Sequence, residues 1–95
     1  MLNQIVLVGR IKEFKEDNQI ILGVSRRYKN EQGEYEVDDI TINYSDDTYN
    51  TIKEYCQITD MIGVKGRVET RDNQMIIINH KTTFLTSKKG DDSDE

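Results

Sequence analysis

A chain of 95 residues has room for one domain and a modest core. With 33% charged residues, 35% hydrophobic residues and no run of 18 apolar residues, it holds no membrane span, and its start lacks the basic-then-apolar pattern of a signal peptide. The net charge of −5 counts against a simple cationic nucleic-acid binder, because phosphate neutralisation drives such binding, although a local basic stripe can act within an acidic protein. The acidity is not confined to the end: residues 1–87 carry eleven basic and fourteen acidic side chains, and residues 88–95 two lysines and four acids. One cysteine, Cys56, excludes an internal disulfide and fits a reducing compartment. The expectation is a cytoplasmic protein whose small core leans on self-association.

Asn3 to Lys12 reads as one long strand. Ile5 and Leu7 occupy one parity and Val6 and Val8 the other, so its first half should be covered on both faces. Gly9 suggests a bulge or bend, and Arg10-Ile11-Lys12 then presents one apolar and one cationic face. Glu13 to Asp17 is a polar connector with Phe14 as a cap on the core. Asn18 to Tyr28 forms a second strand, with Ile20, Leu22 and Val24 on one face, and it ends in Arg26-Arg27-Tyr28-Lys29. A turn through Gly33 leads into a third strand, Tyr35 to Tyr44, whose alternation places Ile40, Ile42 and Tyr44 inward.

Ser45-Asp46-Asp47 is a helix start: a capping hydroxyl, then acids where the helix dipole favours them. The periodicity of Tyr49, Ile52, Tyr55 and Cys56 predicts a helix from Asp46 to Gln57, with Cys56 as a small buried residue in it. Met61 to Thr70 is the fourth strand, with Ile62, Val64 and Val68 inward and a break at Gly66. Asp72-Asn73 makes a tight turn into the fifth, Met75 to Leu85, and Ser87 to Glu95 is a charged, disorder-prone tail. One helix between strands three and four points to a five-stranded oligonucleotide-binding (OB-fold) barrel over residues 1–86, with an acidic tail at 87–95.

These stretches resemble the bacterial single-stranded DNA-binding protein family. Met1 to Ile11 is similar to that family's first strand, Leu22 to Glu34 to its second strand and following loop, Gly63 to Arg71 to its fourth strand, and Phe84-Leu85 to the close of its fifth. The resemblance implies a mainly β OB-fold barrel that assembles as a dimer or tetramer through its first strand. It also implies sequence-tolerant binding of single-stranded DNA in replication, recombination and repair, by stacking on aromatics and contacts from Lys and Arg. The chain departs from the family pattern in places: Asp39 and Ser45 stand where aromatics are expected, two loops are short, and the tail has no Pro-Phe tip.

On that resemblance Tyr28 is a stacking platform flanked by Arg26, Arg27 and Lys29, the alternative being a solvated strand end with a half-buried Tyr; Tyr35 is a second platform, a cross-strand partner of Tyr28 or a plain loop residue. Lys65, Arg67 and Arg71 share an outward parity with only Glu69 opposing them, and with Arg10 and Lys12 they either track a DNA backbone or pair with the many acids. Tyr44, Tyr49 and Tyr55 read as core or helix-packing residues. His80 has no Cys or His neighbours at metal spacing, and no nucleophile–base set or phosphate-binding glycine loop is present, so neither a cofactor nor catalysis is expected. The rival reading is a protein-interaction barrel that has lost most DNA binding; RNA binding is a third.

Overall fold

The computed structural model describes residues 2–85, so the tail at 87–95 lies outside the described residues. Five strands and a helix follow chain order: β1 (Ile5–Lys15), β2 (Gln19–Lys29), β3 (Tyr35–Asn43), α1 (Asp46–Tyr55), β4 (Met61–Arg71) and β5 (Gln74–Phe84). The strands close into a barrel in the order β1-β2-β3-β5-β4, and only the short β3–β5 pairing is parallel. Inward parity brings Ile20, Leu22, Ile42, Ile62, Val64 and Ile77 together, and Ile11, Tyr44, Tyr49, Ile52 and Cys56 complete the core. This is the OB-fold barrel expected from the pattern.

β1 closes the barrel by changing partner along its length. Ile5 to Arg10 pairs with β4, and Arg10 to Lys15 with β2. Gly9 sits at the changeover, where a Cβ would collide with the Gly23 carbonyl oxygen. It therefore permits a close approach of strands rather than forming the expected bulge, and the register shift falls instead between Ile11 and Glu13. The strand also continues through Phe14 to Lys15, into the stretch expected as connector; the turn itself uses left-handed Asp17 (φ 63°) and Asn18 (φ 60°). Phe14 does cap the core, edge-on to Tyr49 at 6.3 Å between ring centroids. The Tyr49 hydroxyl donates to the Lys15 carbonyl oxygen at 2.5 Å, which ties α1 to β1.

A second correction concerns the outer row of β1. Val6 and Val8 are 68% and 47% exposed, not covered, because among the described residues nothing packs over that side. α1 begins as expected, with Ser45 Oγ accepting the Thr48 N–H at 3.3 Å and Asp46 and Asp47 in the first turn. It stops at Tyr55, so Cys56 is the extended, buried C-cap residue rather than part of the helix. Burial, with the Asp60 charge as a second cause, pushes the Cys56 thiol up, which keeps it protonated and inert. Tyr55, expected as a core or helix-packing residue, is 44% exposed and outside the buried core.

Between β4 and β5, Asp72 (φ 51°) and Asn73 (φ 65°) both take the left-handed conformation that a tight two-residue hairpin requires. Register shifts where Lys65 pairs with Lys81 but Gly66 with Asn79, which leaves His80 as the extra residue. Gly66 faces the Ile78 carbonyl oxygen at a distance no Cβ would tolerate.

Candidate nucleic-acid interface

The β2–β3 hairpin carries the two most accessible tyrosines. Regular pairing runs from Gln19–Asn43 to Ser25–Val37 and resumes at Lys29–Tyr35. Arg26, Arg27 and Tyr28 are thus set against Glu36 alone, in a bulged segment that turns side chains outward. Tyr28 is 67% and Tyr35 55% exposed, and the Lys29 ammonium lies 5.7 Å from the Tyr35 ring centroid. Arg26 is occupied: Nη2 and Nε donate to the two Asp38 oxygens at 2.8 and 3.0 Å, and Nη1 to Glu36 Oε1 at 2.9 Å. That fork holds the Asp38 carboxyl below its usual range and raises the arginine further. Arg27 makes no ion pair among the described residues.

Beside the hairpin lies a groove of about 470 Å³ on the outer face of β1 and β2. Val8, Val37, Ile58 and Met61 wall it, Gly23 floors it, and Arg10 and Lys12 stand at its rim. Its far wall is clipped to β1 by two backbone bonds, Thr59 N–H to the Ile11 carbonyl (2.8 Å) and Ile11 N–H to the Asp60 carbonyl (2.9 Å). Thr59 pays for this with a φ of 83°, an unusual and strained conformation for a β-branched residue. Arg10 Nη1 donates to the Thr59 carbonyl oxygen at 3.0 Å, which ties the guanidinium to the groove wall. Lys12 crosses over Gly23 and donates to Asp39 Oδ1 at 2.8 Å.

On the outer face of β4 the expected cations are present but largely engaged. Arg67 donates through Nε (2.8 Å) and Nη2 (2.5 Å) to Glu69, and Arg71 Nη2 donates to the other Glu69 oxygen at 3.0 Å. Two guanidinium groups hold the Glu69 carboxyl below the usual carboxylate range. Arg67 Nη1 also meets His80 Nε2 at 2.9 Å. Lys65 faces Lys81 across the strands, and neither forms an ion pair among the described residues.

The ten residues singled out in the sequence therefore fall into three groups rather than one stripe. Arg26, Arg27, Tyr28, Lys29 and Tyr35 share the hairpin; Arg10 and Lys12 stand at the groove; Lys65, Arg67 and Arg71 lie on β4. The Val8–Gly63 pair separates Arg10 from Lys65 along the β1–β4 seam. The groove residues Val37, Ile58 and Thr59 were missed; Gly23, on the outward parity of a regular strand, was the one sequence signal pointing to them. Among the described residues no three His, Cys, Asp or Glu side chains gather as a metal site, and no helix is long and apolar enough to cross a membrane.

No family model matches the chain. It is 32% identical over 80 residues to single-stranded DNA-binding protein B of Bacillus subtilis, covering 75% of this chain and 71% of that protein. It is 28% identical over 107 residues to single-stranded DNA-binding protein 1 of Clostridium acetobutylicum, covering 93% and 97%. Among solved structures, the mitochondrial single-stranded DNA-binding protein of S. cerevisiae superposes with a TM-score of 0.74 at 15% identity, over 92% of this chain and 98% of that one. The Plasmodium falciparum protein, solved with single-stranded DNA, gives 0.67 at 18% identity, over 90% and 96%. The structural likenesses carry the fold, the sequence relatives carry the kinship, and together they say that this chain belongs to the single-stranded DNA-binding protein family.

Proposed function

We propose that the barrel of residues 1–86 binds single-stranded DNA without sequence preference, as a cytoplasmic homo-oligomer serving replication, recombination and repair, and performs no chemistry on it. The observation that carries this reading is the pair Tyr28 and Tyr35, exposed on one hairpin with Arg27 and Lys29 beside them. Each base stacked on such a ring contributes roughly 1–3 kcal/mol whatever its identity, and the neighbouring cations contact the backbone. From the hairpin, where Arg26 also sits, the strand would run over the Gly23 floor of the groove toward Arg10, with Lys65, Arg67 and Arg71 reached farther along. Titrating labelled oligothymidylate by fluorescence anisotropy at two salt concentrations tests this. Salt-sensitive binding is expected, and its absence at micromolar protein in low salt removes the reading. A parallel titration with oligouridylate separates DNA from RNA preference.

The geometry of β1 supports the homo-oligomer. Over Ile5 to Gly9 the strand pairs with β4 alone, so its other edge offers unpaired backbone groups beside the exposed Val6, Val8 and Leu85. A second copy adding its own β1 would cover both edge and row. Val6→Glu is expected to lower the mass in sedimentation equilibrium to that of a monomer while leaving the circular dichroism unchanged; an unchanged assembly would count against this interface.

A second reading, a protein-interaction barrel, is favoured by the engagement of Lys12, Arg26, Arg67 and Arg71 with carboxylates. It predicts a stoichiometric protein partner in pull-downs that Tyr28→Ala leaves bound.

A further inference from the structure

We propose that Glu36, Asp38, Asp39 and Glu69 act as stand-ins for phosphate, each holding a cation in place until DNA displaces it. The inference rests on the DNA-binding reading above. Carboxylate and phosphate present similar oxygen pairs to a guanidinium, and a planar fork accepts either. Arg26 grips Asp38 through such a fork, with Glu36 on its third nitrogen. Arg67 and Arg71 converge on the two oxygens of Glu69, as two arginines would converge on one phosphate. Lys12 reaches across the groove rim to Asp39, at a position where the resemblance expects an aromatic.

All four carboxylates are accessible, with side-chain exposures between 29% and 54%, so an incoming strand can reach every pair. Exposed pairs of this kind are weakly held, which makes them exchangeable. A single small anion gains little by breaking one, whereas a polymer presenting several phosphates breaks them together. Binding is then an exchange of partners. The displaced carboxylate stays near the strand and opposes it, so affinity and salt dependence both fall below what the cation count suggests.

The test compares the full-length protein with Glu69→Gln, Asp39→Asn and the control Glu54→Gln, an exposed helix acid outside these pairs, by oligothymidylate titration at several salt concentrations. Circular dichroism and thermal melts check that each variant folds. Glu69→Gln is expected to bind about five- to tenfold tighter in low salt. Its plot of log affinity against log salt should steepen by about 0.7 for each arginine released. Asp39→Asn is expected to gain about threefold, while Glu54→Gln stays within about twofold, since a distant exposed charge is screened. Tighter binding by Glu69→Gln supports the proposal even where the wild type binds undetectably. If the wild type binds and the variants match it in affinity and slope, the carboxylates merely stabilise the sheet; the proposal fails and the DNA reading stands. If none of the proteins binds, both fall.

Discussion

Replacing Tyr28 and Tyr35 together by alanine is expected to weaken oligothymidylate binding by roughly a hundredfold to a thousandfold at fixed salt. The two rings are the largest exposed aromatic surfaces of the hairpin, and stacking of roughly 1–3 kcal/mol per base multiplies across both. Neither carries charge, so the salt slope should be preserved while affinity drops. That separates loss of stacking from loss of phosphate contacts, which would flatten the slope. Both side chains are largely exposed, so the thermal midpoint should scarcely move. A loss smaller than about threefold in the double variant would place the bases elsewhere, with the groove beside Gly23 as the next place to look.

The second large effect concerns stability. Gly66→Ala is expected to cost about 2–3 kcal/mol, because its Cβ would press on the Ile78 backbone at the point where the β4–β5 register shifts. For a domain of this size that lowers the thermal midpoint by about 10–20 °C. Gly63→Ala on the same strand is the control. Its Cβ would meet Thr83 no closer than 3.7 Å, an ordinary contact, so the change should be neutral or stabilising by about 0.5 kcal/mol. Differential scanning calorimetry of the two variants decides the matter; equal midpoints would mean that β5 simply moves aside at Gly66.

The barrel was legible because its signals are local. Ile40-Thr41-Ile42 shows its faces by alternation, Ser45-Asp46-Asp47 caps a helix by its own chemistry, and Asp72-Asn73 can take positive φ where most residues cannot. The end of β1 was not, because Glu13 and Lys15 point to solvent and resemble a loop in composition although the backbone is paired to β2. The exposure of Val6 and Val8 has the same kind of cause: apolar identity announces a need for cover without saying which molecule provides it. Within the site, the capture of Arg67 and Arg71 by Glu69 follows from their spacing of two along one strand face. The Arg26–Asp38 pair needs the β2–β3 register, and the Lys12–Asp39 pair needs three strands assembled, so neither can be read from spacing alone. The strained Thr59 has no sequence signature at all.

The double allegiance of β1 also bears on how the molecule comes to be. The β1–β2, β2–β3 and β4–β5 pairings join neighbours in the chain, so each hairpin can zip from its own turn. The β1–β4 seam is different: Ile5 must find Gly66, and the intervening loop loses most of its freedom before any contact rewards it. Refolding is therefore expected to be limited by that seam, on the millisecond-to-second scale of non-local sheets. The chain contains no proline, so stopped-flow traces should lack the slow isomerisation phase that often follows. The tyrosine-bearing hairpin takes shape early, and Val6 and Val8 reach their final row only as the seam closes. Until then the Ile5–Gly9 half of the first strand is an apolar edge without its β4 neighbour, the moment at which this small barrel is most exposed to pairing with the wrong chain.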